Sequence, residues 1–264
     1  MENKKDPEVI VSMTSFPAAI DYAVESLKSI LKGSVLPDRI ILYLTFSQFG
    51  DKGLPDELLE LERKNPIFEI RDYPYDIRSY RKLVPALEDF PESIIVTVDD
   101  DINYHEDMLK LLLDFHKKEP YAVLAHRAKW IKLDMPYKKW KKVRWYHFIT
   151  KKNYEDPLIM QTGVAGVLYP PHILKEDMLD KDLFTKIAPT TDDIWFWAAT
   201  VANGHLIMPV PFGKNKPKGL KKPKDISLKT VNFKKGEDRN SKALHDIMKA
   251  FPDLRDKLIT LQKK

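Results

Sequence analysis

The sequence predicts an α/β fold in which helices flank a mainly parallel sheet. Short apolar, β-branched runs alternate in its first half with segments that carry apolar residues at helical spacing. This alternation is typical of consecutive βαβ units. The length of 264 residues suggests one large domain, or a domain with a small addition, and no repeat is visible at a period of about 20–50 residues.

The first half carries the clearest pattern. Pro55 precedes one helical segment, and Pro85 would kink another helix or mark its first turn. The predicted elements are a strand at Glu8–Met13, a helix with apolar positions from Ile20 to Leu31, a strand at Arg39–Leu44, a helix over DELLELERK, a strand at Phe68–Arg71, a helix at Ser79–Phe90 and a strand at Ile94–Val98. Ligands of such sheets bind outside the carboxyl ends of the strands, so this edge is the expected site.

The second half is less regular. Its last clear helix has Thr190 or Thr191 as N-cap and Asn203-Gly204 as its stop signal. The predicted elements are a strand within residues 120–128, loops or short antiparallel strands over 130–160, a strand at Met160–Tyr169 interrupted by two glycines, a helix at Asp192–Asn203, a strand at Leu206–Val210 and a helical tail over 240–262. That tail is amphipathic, and it can dock on its own domain or pair with another subunit.

Composition excludes several classes of site. The chain has no cysteine, which rules out disulfides, zinc–thiolate sites, iron–sulfur clusters and thiol nucleophiles. No apolar run approaches the roughly 20 residues that span a bilayer. The first residues, MENKKDPEVIV, lack the apolar stretch of a signal peptide. A cytoplasmic location is therefore the expectation.

The net charge of +5 is concentrated in two basic blocks. KKWKKVRW at 138–145 has five basic residues and no acidic one, and KNKPKGLKKPK at 214–224 has six lysines. Each block favours an anionic partner, such as nucleotide phosphates, nucleic acid or an acidic membrane, or is simply a solvated basic face.

Three adjacent carboxylates follow the most apolar strand, in VTVDDDI at 96–102. Their mutual repulsion is unfavourable unless a cation or hydrogen-bond donors offset it. In an extended segment Asp99 and Asp101 would share one face and Asp100 would lie on the other. Oxygen ligands suit Mg²⁺ or Mn²⁺, and a substrate diphosphate would complete the coordination shell. The alternative is a solvated acidic turn before the next helix.

These features together resemble the nucleotide-sugar-binding half of glycosyltransferases with the GT-A fold. The resemblance rests on the order strand–TSFP, helix, strand, strand–Asp72, helix and strand–DDD, and covers roughly residues 8–212. It is strongest for bacterial family-2-like enzymes of capsule, O-antigen or lipooligosaccharide assembly. It implies a single catalytic domain over 1–238, with a nucleotide-sugar half at 8–104 and an acceptor half at 105–238, followed by the tail at 239–264.

The resemblance implies roles for the donor-side residues. The last carboxylate of the D-x-D motif, Asp101, would be the principal metal ligand, while Asp99 would contact the ribose or the metal. Asp72 would meet uracil. The other residues expected at the donor are Thr14, Ser15 and Phe16 in the first-strand loop, Arg78 and Lys82 in the segment before the motif, and Asp100. A histidine that often completes the metal shell is missing from Pro211-Phe212-Gly213-Lys214.

The catalytic base implied by the resemblance lies in TTDDIWFW, at 190–197. Such enzymes place an acidic residue at a helix start after a glycine-containing strand, and Gly163 and Gly166 supply those glycines. Asp193 is the favoured base and Asp192 the substitute. The spacing Thr190-x-x-Asp193 is also typical of a capping box, and both interpretations can hold together.

The aromatic residues beside this motif have two interpretations. Trp195 and Trp197 would stack on a sugar or pack in the core, and the core is favoured because the helix is apolar nearly all round. His126-Arg127, at a strand end, would face the site or be structural. The lysine-rich block at 214–224 would serve as a lid that supplies cations to the diphosphate.

The resulting hypothesis is a metal-assisted, inverting transfer of a hexose from a UDP-sugar to a hydroxyl of a bacterial surface glycan on a lipid. Its cofactor would be Mn²⁺ or Mg²⁺. Trp140, Trp145 and the basic blocks would suit peripheral contact with an anionic membrane. The alternatives are a Mg²⁺-dependent phosphotransferase or phosphatase that uses Asp99–Asp101, and a basic nucleic-acid-binding protein. No nucleic-acid recognition motif is present, and the oligomeric state is left open.

Overall fold

The fold comes from a computed structural model that describes residues 6–144, 156–212, 216–221 and 238–262. The strands are β1 (Val9–Thr14), β2 (Arg39–Leu44), β3 (Phe68–Asp72), β4 (Ile94–Val98), β5 (Ile102–Asn103), β6 (Ala122–Ala125), β7 (Ala128–Trp130), β8 (Lys141–Lys142), β9 (Ile159–Gln161), β10 (Val167–Tyr169), β11 (Leu206–Pro209) and β12 (Lys218–Gly219). The α-helices are α1 (Ile20–Ile30), α2 (Asp56–Lys64), α3 (Val84–Asp89), α4 (Met108–His116), α5 (Lys181–Ile187), α6 (Asp192–Ala202), α7 (Arg239–Ala250) and α8 (Pro252–Gln262).

Seven strands form the central sheet, in the order β11-β6-β10-β4-β1-β2-β3. Its neighbours are parallel except for β10, which runs antiparallel to β4 and β6. The prediction of a mainly parallel sheet flanked by helices is therefore confirmed. β2 and β4 have their predicted bounds because both are apolar runs with sharp polar ends.

The central strands are buried on both faces, and alternate residues belong to two separate cores. Ile10 and Ile95 face the core that contains α6 and the tail helices, whereas Val11 and Val96 face the core built by α1, α2 and α4. This burial explains the near-continuous apolar character of β1 and β4. It also fixes the strand register, because a slip of one residue would exchange the two faces.

Two small sheets complete the fold near the carboxyl ends of the central strands. β8, β7 and β9 form an antiparallel sheet, which confirms the expectation of short antiparallel strands in this region. β12 pairs with β5 directly after the acidic run. These additions border the edge at which Thr14 ends β1 and Val98 ends β4.

One predicted strand is wrong. Met160–Tyr169 is divided into β9 in the small sheet and β10 in the central sheet, joined by a turn. Ala165 and Gly166 have φ values of 88° and 106°, a left-handed conformation that ends an extended strand. The two glycines thus mark a change of sheet.

The predicted helices are confirmed with changes at their ends. Pro85 lies in the first turn of α3, where a missing N–H costs nothing, and a 3₁₀ turn at Arg78–Lys82 replaces the predicted start. The tail is two helices that break at Pro252. It docks on its own domain, since Leu244, Ile247 and Leu258 are buried in the core with α6. In the described parts of the chain, no helix has the length and apolarity needed to cross a membrane.

Candidate active site

A cleft of about 1650 Å³ lies at the carboxyl edge of the central sheet. Its lining comes from the ends of β1 and β4, the Arg78–Lys82 turn, the start of α6 and the small antiparallel sheet. The predicted site residues that line it are Thr14, Ser15, Phe16, Arg78, Lys82, Asp99, Asp100, Asp101, Asp192 and Asp193. Segments far apart in sequence therefore meet in one cavity.

Asp99–Asp101 form a turn. The expectation that Asp99 and Asp101 share one face of an extended segment, with Asp100 on the other, is therefore wrong. β4 ends at Val98, and all three carboxylates of the run line the cleft. Ser15 Oγ donates to Asp100 Oδ2 at 2.6 Å, and Asp99 N donates to the buried Tyr104 hydroxyl at 2.7 Å. Leu220 N donates to the carbonyl of Asp101 at 2.7 Å, which fastens the lysine-rich segment to this turn.

These carboxylates fit a hard divalent cation by chemistry, since oxygen ligands suit Mg²⁺ and Mn²⁺. They do not form a closed cage. In the described residues, the only cluster of three acidic or histidine ligands is His105, Glu106 and Asp107, outside this cleft. An ion at the turn would therefore need oxygens from a substrate diphosphate or water. Of the two expected metal ligands, Asp99 already pairs through its Oδ1 with Lys82.

Lys82 is the cation in the floor of the cleft, a charged cluster that it forms with Asp99, Asp100 and Asp192. Its ammonium lies 3.1 Å from Asp99 Oδ1 and 3.1 Å from Asp192 Oδ2, and its side chain is 9% exposed. Burial acts to lower the pKa of Lys82, but Asp192 and Asp99 outweigh burial and raise it well above its usual value. Lys82 is therefore a buried cation shared by two carboxylates. The expectation was that its side chain would extend to the donor.

Asp193 is partly buried beside this pair. Gly163 N donates to its Oδ1 at 2.9 Å, and Gln161 Nε2 donates to its backbone carbonyl at 3.0 Å. Burial and the neighbouring Asp192 raise the pKa of Asp193 to about 7, against the opposing charge of Lys82. A carboxyl with this pKa both accepts and releases a proton near neutral pH, as a general base requires.

The capping-box interpretation of this helix start is wrong. Thr191 is the N-cap of α6, but its side chain makes no capping hydrogen bond, and Asp193 turns toward Gly163. Asp192 is held from two sides, because Ser79 Oγ donates to its Oδ1 at 2.7 Å and Lys82 pairs with its Oδ2. Asp192 is thereby fixed in place, and Asp193 is the better placed to accept a proton.

Gly163 is required where the chain crosses this cluster. A Cβ there would lie 2.6 Å from Lys82 Nζ, 3.0 Å from Asp193 Oδ1 and 3.6 Å from Asp99 Oδ1. The first distance is shorter than any ordinary contact, so only glycine lets the backbone approach the floor without moving a charged group.

A buried arginine that sequence reasoning missed organises the first-strand loop. Arg81 donates to Thr14 Oγ1 at 2.7 Å, to the carbonyl of Ser15 at 2.7 Å and to Thr45 Oγ1. Burial lowers the pKa of Arg81, with Asp76 and Asp72 opposing the change. Its only sequence signal is its place in RSYRK at 78–82, in which Arg78 and Lys82 are the expected donor contacts.

Two of the predicted donor residues have distinct surroundings. Arg78 lines the cleft with φ of 53°, a left-handed conformation that is strained for arginine and is often kept at functional sites. Asp72 ends β3 but is not among the described residues that line the cleft, whereas Asp76 is. Phe46 N donates to Asp72 Oδ1 at 2.9 Å. The role of Asp72 at uracil stays a prediction.

Several aromatic candidates are structural. Trp195 and Trp197 are fully buried, and their indole N–H groups donate to the carbonyls of Met178 and Pro157, which confirms core packing and excludes sugar stacking. Trp140 is also buried, so the prediction that it contacts a membrane is wrong. Trp145 lies outside the described residues. His126 is buried between the carbonyls of Met108 and Val210.

Part of the lysine-rich block lies outside the described residues, which include only 216–221 of it. Within that segment, Lys216, Pro217 and Gly219 line the cleft. β12 holds the segment against β5, where Lys218 pairs in register with Asn103, two residues after the acidic turn. The predicted lid motion stays a prediction.

No protein-family model and no curated protein matches the sequence. The fold is similar to that of the mannosyltransferase PcManGT from Pyrobaculum calidifontis, solved in complex with GDP-Man and Mn²⁺. The TM-score is 0.54 at 14% identity, and the match covers 97% of this chain and 75% of the other. The chain therefore has the α/β fold of a glycosyltransferase.

Proposed function

We propose that the protein is a glycosyltransferase that moves a hexose from a nucleoside diphosphate sugar to an acceptor hydroxyl. One observation carries the proposal: Asp193, a carboxyl whose pKa is raised to about 7, lies in the same cleft as the Asp99–Asp101 turn. A proton acceptor and a candidate diphosphate–metal site thus line one cavity. A nucleic-acid-binding role would leave this pairing unused.

The donor would lie along the ends of β1 and β4. The loop at Thr14, Ser15 and Phe16 would line the nucleoside, and the cations of Arg78 and Lys216, which both line the cleft, would attract the diphosphate. Asp101, with Asp99, would hold Mn²⁺ or Mg²⁺. Such an ion stabilises negative charge on the departing diphosphate. UDP is the nucleotide that the sequence predicts.

Asp193 would act on the acceptor. As the acceptor oxygen bonds to the anomeric carbon, its proton passes to the Asp193 carboxylate, and the bond from that carbon to the phosphate oxygen breaks. The nucleoside diphosphate leaves with the electron pair. Direct attack opposite the leaving group inverts the anomeric configuration. Asp192 and Lys82 would position Asp193 and hold its pKa near neutrality. The proposed acceptor is a bacterial surface glycan, lipid-linked, at an anionic membrane.

A binding assay tests the donor part of this proposal. Purified protein would be mixed with UDP- and GDP-hexoses, with and without Mn²⁺, and its melting temperature would be measured by thermal shift. We expect Mn²⁺-dependent stabilisation by one nucleotide class in the wild type, and its loss in Asp101→Asn. Equal melting temperatures with and without every sugar nucleotide would contradict the proposal. NMR of the product linkage checks inversion.

A further inference from the structure

One wall of the cleft carries positive charges that the proposed donor chemistry does not use. Arg127 precedes β7, Lys129 lies within it, and Lys142 lies in β8. All three line the cleft, and together they form its basic wall. Lys142 belongs to the first basic block of the sequence, but Arg127 and Lys129 lie outside both blocks.

Two of these cations oppose each other directly. Lys129 and Lys142 are paired in register across the antiparallel strands β7 and β8. Like charges in this position destabilise a sheet. Lys129 is half-buried, and burial, Lys142 and Arg127 together lower its pKa to about 8. The fold therefore keeps an unfavourable arrangement at the surface of the cleft.

Among the described residues, few groups compensate for these charges. Within the described residues, no carboxylate lies within ion-pair distance of Arg127, Lys129 or Lys142. Asp238 acts on Lys129 at longer range, but its carboxylate accepts hydrogen bonds from Ser241 at the start of α7. The Lys129 ammonium lies 3.5 Å from the centre of the Tyr137 ring, a cation–π contact that holds it in place without neutralising it.

The basic wall is adjacent to the proposed base. Thr162 N donates to the carbonyl of Arg127 at 2.8 Å, and the next residue, Gly163, donates to Asp193. Ala128 pairs in register with Gln161, whose amide binds the carbonyl of Asp193. The wall thus lies on the side of Asp193 formed by the small sheet, away from the Ser15–Asp100 contact.

We propose that the basic wall binds an anionic group, phosphate or carboxylate, on the acceptor. The inference rests on the proposed function and specifies its acceptor class. An acceptor anion would relieve the repulsion between Lys129 and Lys142, and its attachment to the wall would place a hydroxyl beside Asp193. Arg127 would add planar, two-point recognition of either anion.

Calorimetric titration tests the proposal without turnover. Wild-type protein, with and without saturating UDP or GDP and Mn²⁺, would be titrated with glucose, glucose 6-phosphate and glucuronate. The comparison is repeated in Lys129→Gln/Lys142→Gln and in Lys139→Gln. Lys139 is an exposed lysine of the same basic block that does not line the cleft, so it controls for net charge.

We expect one anionic sugar to bind at least about tenfold more tightly than glucose, and the double variant to lose that advantage. Preference for glucose 6-phosphate identifies a phosphate, and preference for glucuronate a carboxylate. Equal binding of all three sugars, unchanged binding in the double variant, or an equal loss in Lys139→Gln would overturn the proposal. Failure of UDP and GDP to bind would instead count against the proposed function, because the titration without nucleotide still reports on the wall.

Discussion

The floor and the basic wall of the cleft treat charge in opposite ways. On the floor, Lys82 is shared by Asp99 and Asp192, and Ser15 donates to Asp100. On the wall, Lys129 faces Lys142, and no described carboxylate pairs with either. These floor groups have protein partners before any ligand binds, whereas Lys129 and Lys142 have no carboxylate partner among the described residues.

This difference suggests that the floor residues position catalytic groups, whereas the basic wall recognises a ligand. A group whose partners are all in place is preorganised, and preorganised electrostatics is a large contributor to catalysis. A group without a partner contributes when a ligand supplies one. Substitutions on the floor should therefore change turnover and stability, and the main effect of substitutions on the wall should be on acceptor affinity.

The largest expected effect comes from Asp193→Asn. Asparagine can still accept the hydrogen bond of Gly163 N, but it cannot take a proton. Loss of a general base predicts a fall in kcat of about 10³-fold with unchanged donor affinity. Initial rates and donor titrations measure both quantities. A variant with full activity would remove Asp193 from its role, and Asp192→Asn serves as the neighbouring control.

Lys82→Met should produce the largest change in stability. It leaves the buried Asp192 and the partly exposed Asp99 without their shared cation, which predicts a loss of about 3 kcal/mol in the free energy of unfolding. Adding Asp192→Asn to this variant should recover part of the loss, because one uncompensated charge is removed. Urea denaturation measures both. A Lys82→Met protein as stable as the wild type would show that the floor is not a coupled unit.

Gly163→Ala should have an intermediate effect. The added methyl group would press on Lys82 and Asp193, so we expect about a tenfold to hundredfold loss of kcat and a modest loss of stability. Gly219→Ala is the matched control, since a Cβ at Gly219, also at the cleft, meets no atom within 4 Å. Equal kinetics in the two variants would contradict the close approach at Gly163.

The smallest effect is expected on the wall, where Lys129→Gln/Lys142→Gln should leave thermal stability unchanged or slightly raised. Removing two opposed like charges relieves repulsion across β7 and β8. Calorimetric melting of the double variant, alongside Lys139→Gln, measures this. A melting temperature well below that of both the wild type and the control would mean that these lysines hold the sheet together.

Local pattern predicted the central strands but not the crossings between sheets. β2 and β4 are apolar runs with polar ends, so their bounds could be predicted. The turn at 162–166 could not, because its left-handed Ala165 depends on the change of sheet. The TTDDIWFW pattern placed Asp193 at a helix start and the resemblance implied its role, yet its pKa depends on burial and on Lys82 and Asp99, which only the fold brings to it.

The basic wall shows the same limit for charge. The two basic blocks stand out in the sequence, and Arg127 was expected either to face the site or to be structural, but Lys129 does not stand out because it is a single cation near apolar residues. Pairing of β7 with β8 places Lys129 opposite a lysine of the first block. Likewise, Lys82 looks like a helix-surface cation until its two carboxylates, Asp99 and Asp192, come together from distant segments.

The central claim is that Asp193 acts as a base whose pKa is raised by its surroundings. The charged and titratable groups that interact with it are Lys82, Asp99, Asp192, Lys129, Tyr80, Tyr137 and Tyr169. Only the ionised carboxyl can accept a proton, so kcat/KM for transfer should fall as pH decreases through about 7. The decisive measurement is this pH profile in the wild type and in Asp193→Asn. The account predicts an acid limb near pH 7 that disappears in the variant, and the same limb in both proteins would contradict it.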